Sequence, residues 1–210
     1  MKRLLLARHG QSLSNALHRF QGAQDVALSD LGERQANALG AALRHRTLAA
    51  VYSSPLARAR RTAEIAASHF GGTVAFRDDL RELSLGEWEG CTVDEIKKRP
   101  GDPYAQWVRD PLGCPPPGGE PLAAVQQRVV GVLDEICAAH PDGETVLVVC
   151  HGGVISAYLA HCFGLPLSAI WRVALANGSI TEVAPPRVIS VNSTSHLDGI
   201  ASGSAPGLSP

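Results

Sequence analysis

The chain has 210 residues, 45% hydrophobic and 19% charged, with a formal net charge of −1. That composition supplies enough apolar side chain for a full core and excludes the disordered and fibrous classes. The near-neutral total conceals an uneven spread: residues 1–62 hold ten Lys and Arg against three Asp and Glu, and the remainder nine against seventeen.

A positive opening third suits a small anionic ligand, and the lack of a basic run with interleaved aromatics counts against nucleic acid. Within that third, Lys2 to Ala7 reads as a short buried strand that runs into the polar turn Arg8-His9-Gly10-Gln11-Ser12. In open α/β sheets ligands gather at the carboxyl ends of strands, so this turn sets a guanidinium and an imidazole where a substrate would lie. The polar stretch 11–27 is expected to lie over the site. Ser29 can then cap a helix with acids in its first turn and Leu31, Ala38, Leu39, Ala42 and Leu43 on one apolar face.

Leu48 to Tyr52 reads as the next strand, after which Ser53-Ser54-Pro55 is expected to supply an N-cap and a proline at the first helical position. Ala59, Ala63, Ala66 and Phe70 form the buried face of the helix that follows, and Gly71-Gly72 ends it. Arg58, Arg60 and Arg61 place positive charge at a helix end that is already partially positive, which is unfavourable unless an anion binds there. Arg61 reads as a solvated side chain. Arg58, close to the strand end, reads as an anion ligand.

A strand around 73–76 leads into a carboxylate-rich segment, 78–90, in which spacing alone does not say which acid enters the site. Residues 91–119 are the least regular part: a short helix near Val93 to Lys98, then Tyr104 and Trp107, then Cys114-Pro115-Pro116-Pro117. We read them as a cap over the pocket, with Trp88, Tyr104 and Trp107 either lining an apolar wall or simply packing. A helix from Pro121 carries Val125, Val129, Val132, Leu133 and Ile136 on one face and stops at His140-Pro141. Thr145 to Cys150 repeats the opening pattern, because it too ends in a histidine and glycines: His151-Gly152-Gly153. A helix from Val154 to Phe163, a hairpin turn at Asn177-Gly178 and a last strand from Val188 to Val191 complete the expected elements.

No linker divides the chain, so one domain is expected over 1–200, with a flexible tail over 201–210. Five cysteines, an odd number without a C-x-x-C pair, give neither a disulfide framework nor a zinc knuckle and fit a reducing cytoplasm. The apolar run after Met1 is too short for a signal peptide, and no other stretch reaches membrane-spanning length. Two histidines, two arginines and a carboxylate, without metal-ligand spacing, point to phosphoryl transfer through a histidine.

In chain order, the following motifs resemble signatures of the histidine phosphatase superfamily, also called the phosphoglycerate mutase-like family. They are Arg8-His9-Gly10-Gln11-Ser12 with Asn15, Leu28-Ser29-Asp30-Leu31-Gly32, and Ser53-Ser54-Pro55-Leu56-x-Arg58-Ala59. Leu80-Arg81-Glu82-Leu83 with Gly86-x-Trp88-Glu89-Gly90, and His151-Gly152-Gly153, continue the series, so that the likeness runs from residue 4 to about 198. The resemblance implies a three-layer α/β/α sandwich with a mostly parallel sheet. It implies His9 as the nucleophile that becomes phosphohistidine, and Arg8, Arg58 and His151 as clamps on the phosphoryl oxygens. Glu82 would be proton donor and then base; Asn15, Gln21, Gly22 and the backbone of Gly152 would line the phosphate pocket; Glu87 and Glu89 would support them.

One departure is visible at Gly118-Gly119-Glu120-Pro121, where relatives commonly carry serine after the glutamate. It removes any side-chain role for that serine and leaves the chemistry intact. The implied activity is metal-independent, cofactor-free hydrolysis of small phosphomonoesters, with a small phosphorylated metabolite as partner, no nucleic acid or membrane, and a homodimer left open. A phosphoglycerate mutase is the alternative, which the shortness of 91–119 disfavours. A noncatalytic phospholigand-binding module is a third reading, against which stand both His9 and Glu82.

Overall fold

The computed structural model describes residues 2–200, so the expected tail over 201–210 lies outside the described residues. Six strands form one sheet in the order β3-β2-β4-β1-β5-β6. They are β1 (Arg3–Arg8), β2 (Ala50–Ser53), β3 (Val74–Phe76), β4 (Thr145–Cys150), β5 (Ile180–Ala184) and β6 (Arg187–Ser193). The first four pair in parallel, β3 on β2, β2 on β4 and β4 on β1. β5 joins β1 antiparallel, and β6 joins β5 antiparallel at the edge. The sheet is therefore mostly parallel, as expected.

Three layers follow from the period-2 alternation of the central strands. Leu4, Leu6, Val146, Val148 and Cys150 face one side, where Val125, Val129, Val132 and Ile136 of α6 (Leu122–Ala139) and Val154, Ile155 and Tyr158 of α7 (Gly152–Cys162) pack. Leu5, Ala7, Val51, Leu147 and Val149 face the other, under α2 (Asp30–Leu43) and α3 (Ala57–Ser68). This second layer is thin: Ala59, Ala63, Ala66 and Ala67 supply most of α3's buried face. The remaining helices are short, namely α1 (Leu13–Ala16), α4 (Val93–Lys97) and α5 (Pro103–Arg109). No helix among the described residues is long and apolar enough to cross a membrane.

Several local expectations change. The buried stripe of α2 is Gly32, Gln35, Ala36, Leu39, Gly40 and Leu43, and Ala42 is exposed. The stripe shifts because α2 meets α3 closely: a Cβ on Gly40 would stand 2.5 Å from the His69 ring. Ser53-Ser54-Pro55 does not cap α3, which starts at Ala57; its first amide donates instead to Asp25 Oδ1 at 2.5 Å. Pro121 is the cap residue of α6, one position before the helix, and α7 starts at Gly152, two residues earlier than expected. Asn177-Gly178 joins no two strands. The hairpin turn is Pro185-Pro186, between β5 and β6.

Candidate active site

Strand register makes the site. β1 and β4 pair with Arg8 beside Cys150, so the two His-Gly turns leave the sheet next to each other, and the His9 amide donates to the Cys150 carbonyl at 3.0 Å. The imidazole rings of His9 and His151 stand 5.1 Å apart. A cavity of about 900 Å³, including its open mouth, lies at this carboxyl end of the sheet. Arg8, His9, Asn15, Gln21, Gly22, Arg58, Glu82 and Gly152 all line it, and His151 does not. His151 is wholly buried behind His9.

His9 is 2% exposed. Its Nδ1 faces the Gly10 carbonyl at 2.7 Å, an acceptor only, which places the ring proton on Nδ1 and leaves a lone pair on Nε2. Arg58 Nε donates toward that lone pair at 3.3 Å. Burial, followed by the nearby charges of Arg58 and Arg8, holds the His9 pKa well below the usual imidazole value. The ring is thus neutral at pH 7.

Arg58, 1% exposed, reaches into the cavity from the second residue of α3 and donates to the carbonyls of Gln24 at 2.7 Å and Gly22 at 2.8 Å. Those partners are neutral dipoles. Desolvation dominates and pushes its pKa down to about 10, against the upward pull of Glu82, so the guanidinium stays charged at neutral pH. Arg8 donates from Nη1 to the Leu175 carbonyl, while its buried Nε has no hydrogen-bond partner. Desolvation lowers its pKa as well, with Glu82 opposing. Two cations held without an anion in contact leave a site whose desolvation a phosphate would offset.

Glu82 sits across the cavity between two amides: Leu83 N donates to Oε1 and Gly153 N to Oε2, both at 3.1 Å. The approach demands glycine at 153, since a Cβ there would lie 2.5 Å from Glu82 Oε1 and 2.4 Å from Leu83 Cδ2. From α6, Arg128 donates to the carbonyls of Asp79 at 2.8 Å and Arg81 at 2.7 Å and forms a two-pronged pair with Glu120, both contacts at 2.8 Å. The segment carrying Glu82 is therefore tied to α6 and α7. Glu89 ties the loops beneath it, accepting from Ala23 N and Leu85 N at 2.9 and 3.0 Å, whereas Glu87 is exposed.

Three buried groups that the sequence does not place in the site support it. Asn177, 1% exposed, donates to the His9 carbonyl at 3.2 Å and to Asn15 Oδ1 at 3.1 Å, which turns the Asn15 amide nitrogen toward the cavity. Thr62 Oγ1 accepts from Gly10 N at 3.0 Å and donates to the Arg58 carbonyl at 2.7 Å, so that one hydroxyl ties the His9 turn to the first turn of α3. Ser54 Oγ lies 2.8 Å from His151 Nε2 and accepts from Leu56 N at 3.3 Å, while His151 Nδ1 has no partner. Trp88, Tyr104 and Trp107 are core residues and do not line the cavity; of residues 91–119 only Val93 does. Among the described residues no cluster of His, Cys, Asp and Glu is arranged to hold a metal ion.

The family model of the histidine phosphatase superfamily (branch 1) matches residues 4–187. Phosphoserine phosphatase 1 of Hydrogenobacter thermophilus is 33% identical over 201 residues, covering 94% of this chain and 95% of that protein. A Yersinia pestis protein named probable phosphoglycerate mutase GpmB is 33% identical over 207 residues, covering 94% and 96%. Among solved structures, a mycobacterial glucosyl-3-phosphoglycerate phosphatase superposes with a TM-score of 0.85 at 32% identity, covering 92% of this chain and all of that one. By fold and similarity alike, the chain belongs to the histidine phosphatase superfamily.

Proposed function

We propose that this chain hydrolyses small phosphomonoesters in two steps through a phosphohistidine on His9. The observation that carries the reading is the His9 ring itself: neutral, pinned at Nδ1, with the Nε2 lone pair facing a cavity that two buried guanidiniums make positive. In the first step Nε2 attacks phosphorus, the ester P–O bond breaks, and Glu82 gives its proton to the leaving oxygen. In the second step water loses a proton to Glu82 and attacks the phosphoryl group, the P–N bond breaks, and inorganic phosphate leaves His9 neutral again. Arg8 and Arg58 hold the phosphoryl oxygens as charge develops, with Asn15, Gln21, Gly22 and the Gly152 amide around them, and His151, outside the cavity lining but with its ring 5.1 Å from that of His9, offers its unpartnered Nδ1 to an oxygen of the group carried on His9. The first turn of α7 adds its partial positive end.

This reading assigns the activity to one domain over 1–200 with 91–119 as its cap segment, acting in a reducing cytoplasm, in keeping with five unpaired cysteines. Relatives named as phosphatases support hydrolysis; the GpmB name supports isomerisation only weakly. The test uses Glu82→Gln. An alkyl phosphate, whose alkoxide needs a proton, should slow by about 10²–10⁴-fold, and an aryl phosphate far less. Both should remain active in chelator. Equal loss on the two esters removes Glu82 as the acid, and isomerisation of 3-phosphoglycerate outrunning phosphate release makes the chain a mutase.

A further inference from the structure

Away from the phosphate end the cavity wall changes character: Phe20, Leu85, Val93, Trp171 and Val173 line it. The two rings in that wall are seated on a third. Trp107, 1% exposed, lies 6.3 Å from Phe20, edge to face, and 5.0 Å from Trp171, and Phe20 also rests against Trp88 and Tyr104 at 6.3 Å each. The aromatic cluster of the 88–107 region therefore serves as backing. It fixes the wall before a ligand arrives, which lowers the ordering cost of binding.

Among the described residues, the basic side chains lining the cavity beyond Arg8, His9 and Arg58 are His18, which is exposed, and Arg19, which is already matched. Beyond Arg8 and Arg58 the one arginine lining the cavity is Arg19, whose Nη1 donates to the Gly90 carbonyl at 2.6 Å and to Glu95 Oε2 at 3.1 Å. Glu95 is fixed in turn by the Thr92 amide at 2.7 Å, the main cause of its lowered pKa, and so stays a carboxylate. The pair is exposed and modest in strength. A carboxylate entering with the ligand would nonetheless share Arg19 with Glu95 and lose water against an apolar wall.

We infer that the leaving-group side of this site takes phosphate esters of uncharged, largely apolar alcohols in preference to those of hydroxy acids or amino acids. The inference rests on the hydrolase reading above. It separates this chain from relatives whose names specify carboxylate-bearing esters.

The test compares kcat/KM for benzyl phosphate, O-phosphoserine and 3-phosphoglycerate, all alkyl esters with similar need of a proton. Benzyl phosphate should lead by about tenfold or more, the discrimination an apolar pocket supplies. Phe20→Ala should lower kcat/KM for benzyl phosphate by about tenfold more than that for methyl phosphate. Glu95→Gln should raise 3-phosphoglycerate several-fold and leave benzyl phosphate unchanged. Carboxylated esters equal to or ahead of benzyl phosphate overturn the assignment, as does equal loss of methyl and benzyl phosphate in Phe20→Ala. Failure to hydrolyse any ester overturns the hydrolase reading itself.

Discussion

The two His-Gly turns are alike in sequence and opposite in structure. His9 lines the cavity, is tied at Nδ1 by the carbonyl next to it, and offers Nε2. His151 lies behind it, is tied at Nε2 by Ser54, and is left with Nδ1 unpartnered. In each ring one nitrogen has a polar partner that fixes the tautomer and so decides whether the other carries a proton; for His9 that other nitrogen is the lone pair toward which Arg58 Nε donates. A carbonyl can only accept, so it makes His9 a nucleophile. The Ser54 hydroxyl accepts from Leu56 N and can donate its own proton to Nε2, which makes His151 a donor through Nδ1.

The largest effects should come from exchanging the two histidines for alanine. His9→Ala should abolish turnover and acid-labile labelling of the protein by phosphate. His151→Ala should still label on His9, with turnover lower by about 10²–10³-fold, the usual loss for one preorganised donor. Label on His151 in the first variant would reverse the comparison. A smaller effect is expected of Ser54→Ala: a turnover loss of about tenfold or less, the worth of one hydrogen bond. Its specific signature is the ¹⁵N spectrum of His151, where the proton should move off Nδ1; an unchanged tautomer would show that Ser54 does not set it.

A further effect is on stability rather than on turnover. Burial, then the neighbouring arginines, lowers both histidine pKa values well below 6.5, so below that pH the unfolded chain takes up protons that the folded one refuses. The contribution is whole above about pH 6.5 and falls as the pH drops, by roughly 1.4 kcal/mol per pH unit for each ring. Urea midpoints at pH 7 and 5.5 in phosphate-free buffer should show this loss, and His9→Ala should remove one ring's share of the slope, the rest staying with His151 and, through burial, His196. A pH-independent midpoint would mean that the rings are charged in the fold.

What the sequence revealed was whatever local pattern controls. Apolar runs ending in His-Gly marked β1 and β4, and helical periodicity marked α6, because each is set by its own side chains. Local pattern makes Ser54 a cap and Asn177 a hairpin turn, whereas their polar groups serve partners 97 and 168 residues away. Glu82 could not be chosen from among neighbouring acids by spacing; the amide that distinguishes it is Gly153, 71 residues on. The real hairpin turn, Pro185-Pro186, carries none of the Asn-Gly or Asp-Gly chemistry that marks such turns. α5 has its own start signals, Asp102 as cap and Pro103 at the first position, but its seven residues are too few for a helical period to stand out around Tyr104 and Trp107.

The antiparallel arm beside β1 has a consequence for time rather than space. The His9 turn is held by what precedes β5: Gly178 N donates to the carbonyls of Arg8 and His9, Ser179 accepts from Arg8 N, and Asn177 reaches the His9 carbonyl. Residues near the start of the chain thus wait for residues near 180 before the nucleophile has its shape. Contacts so distant in sequence form late and slow folding, since long loops must close first. A ribosome-bound chain stalled before residue 175 would carry His9, Arg58 and His151 and still be inert, so the appearance of turnover during synthesis or refolding would report the docking of β5.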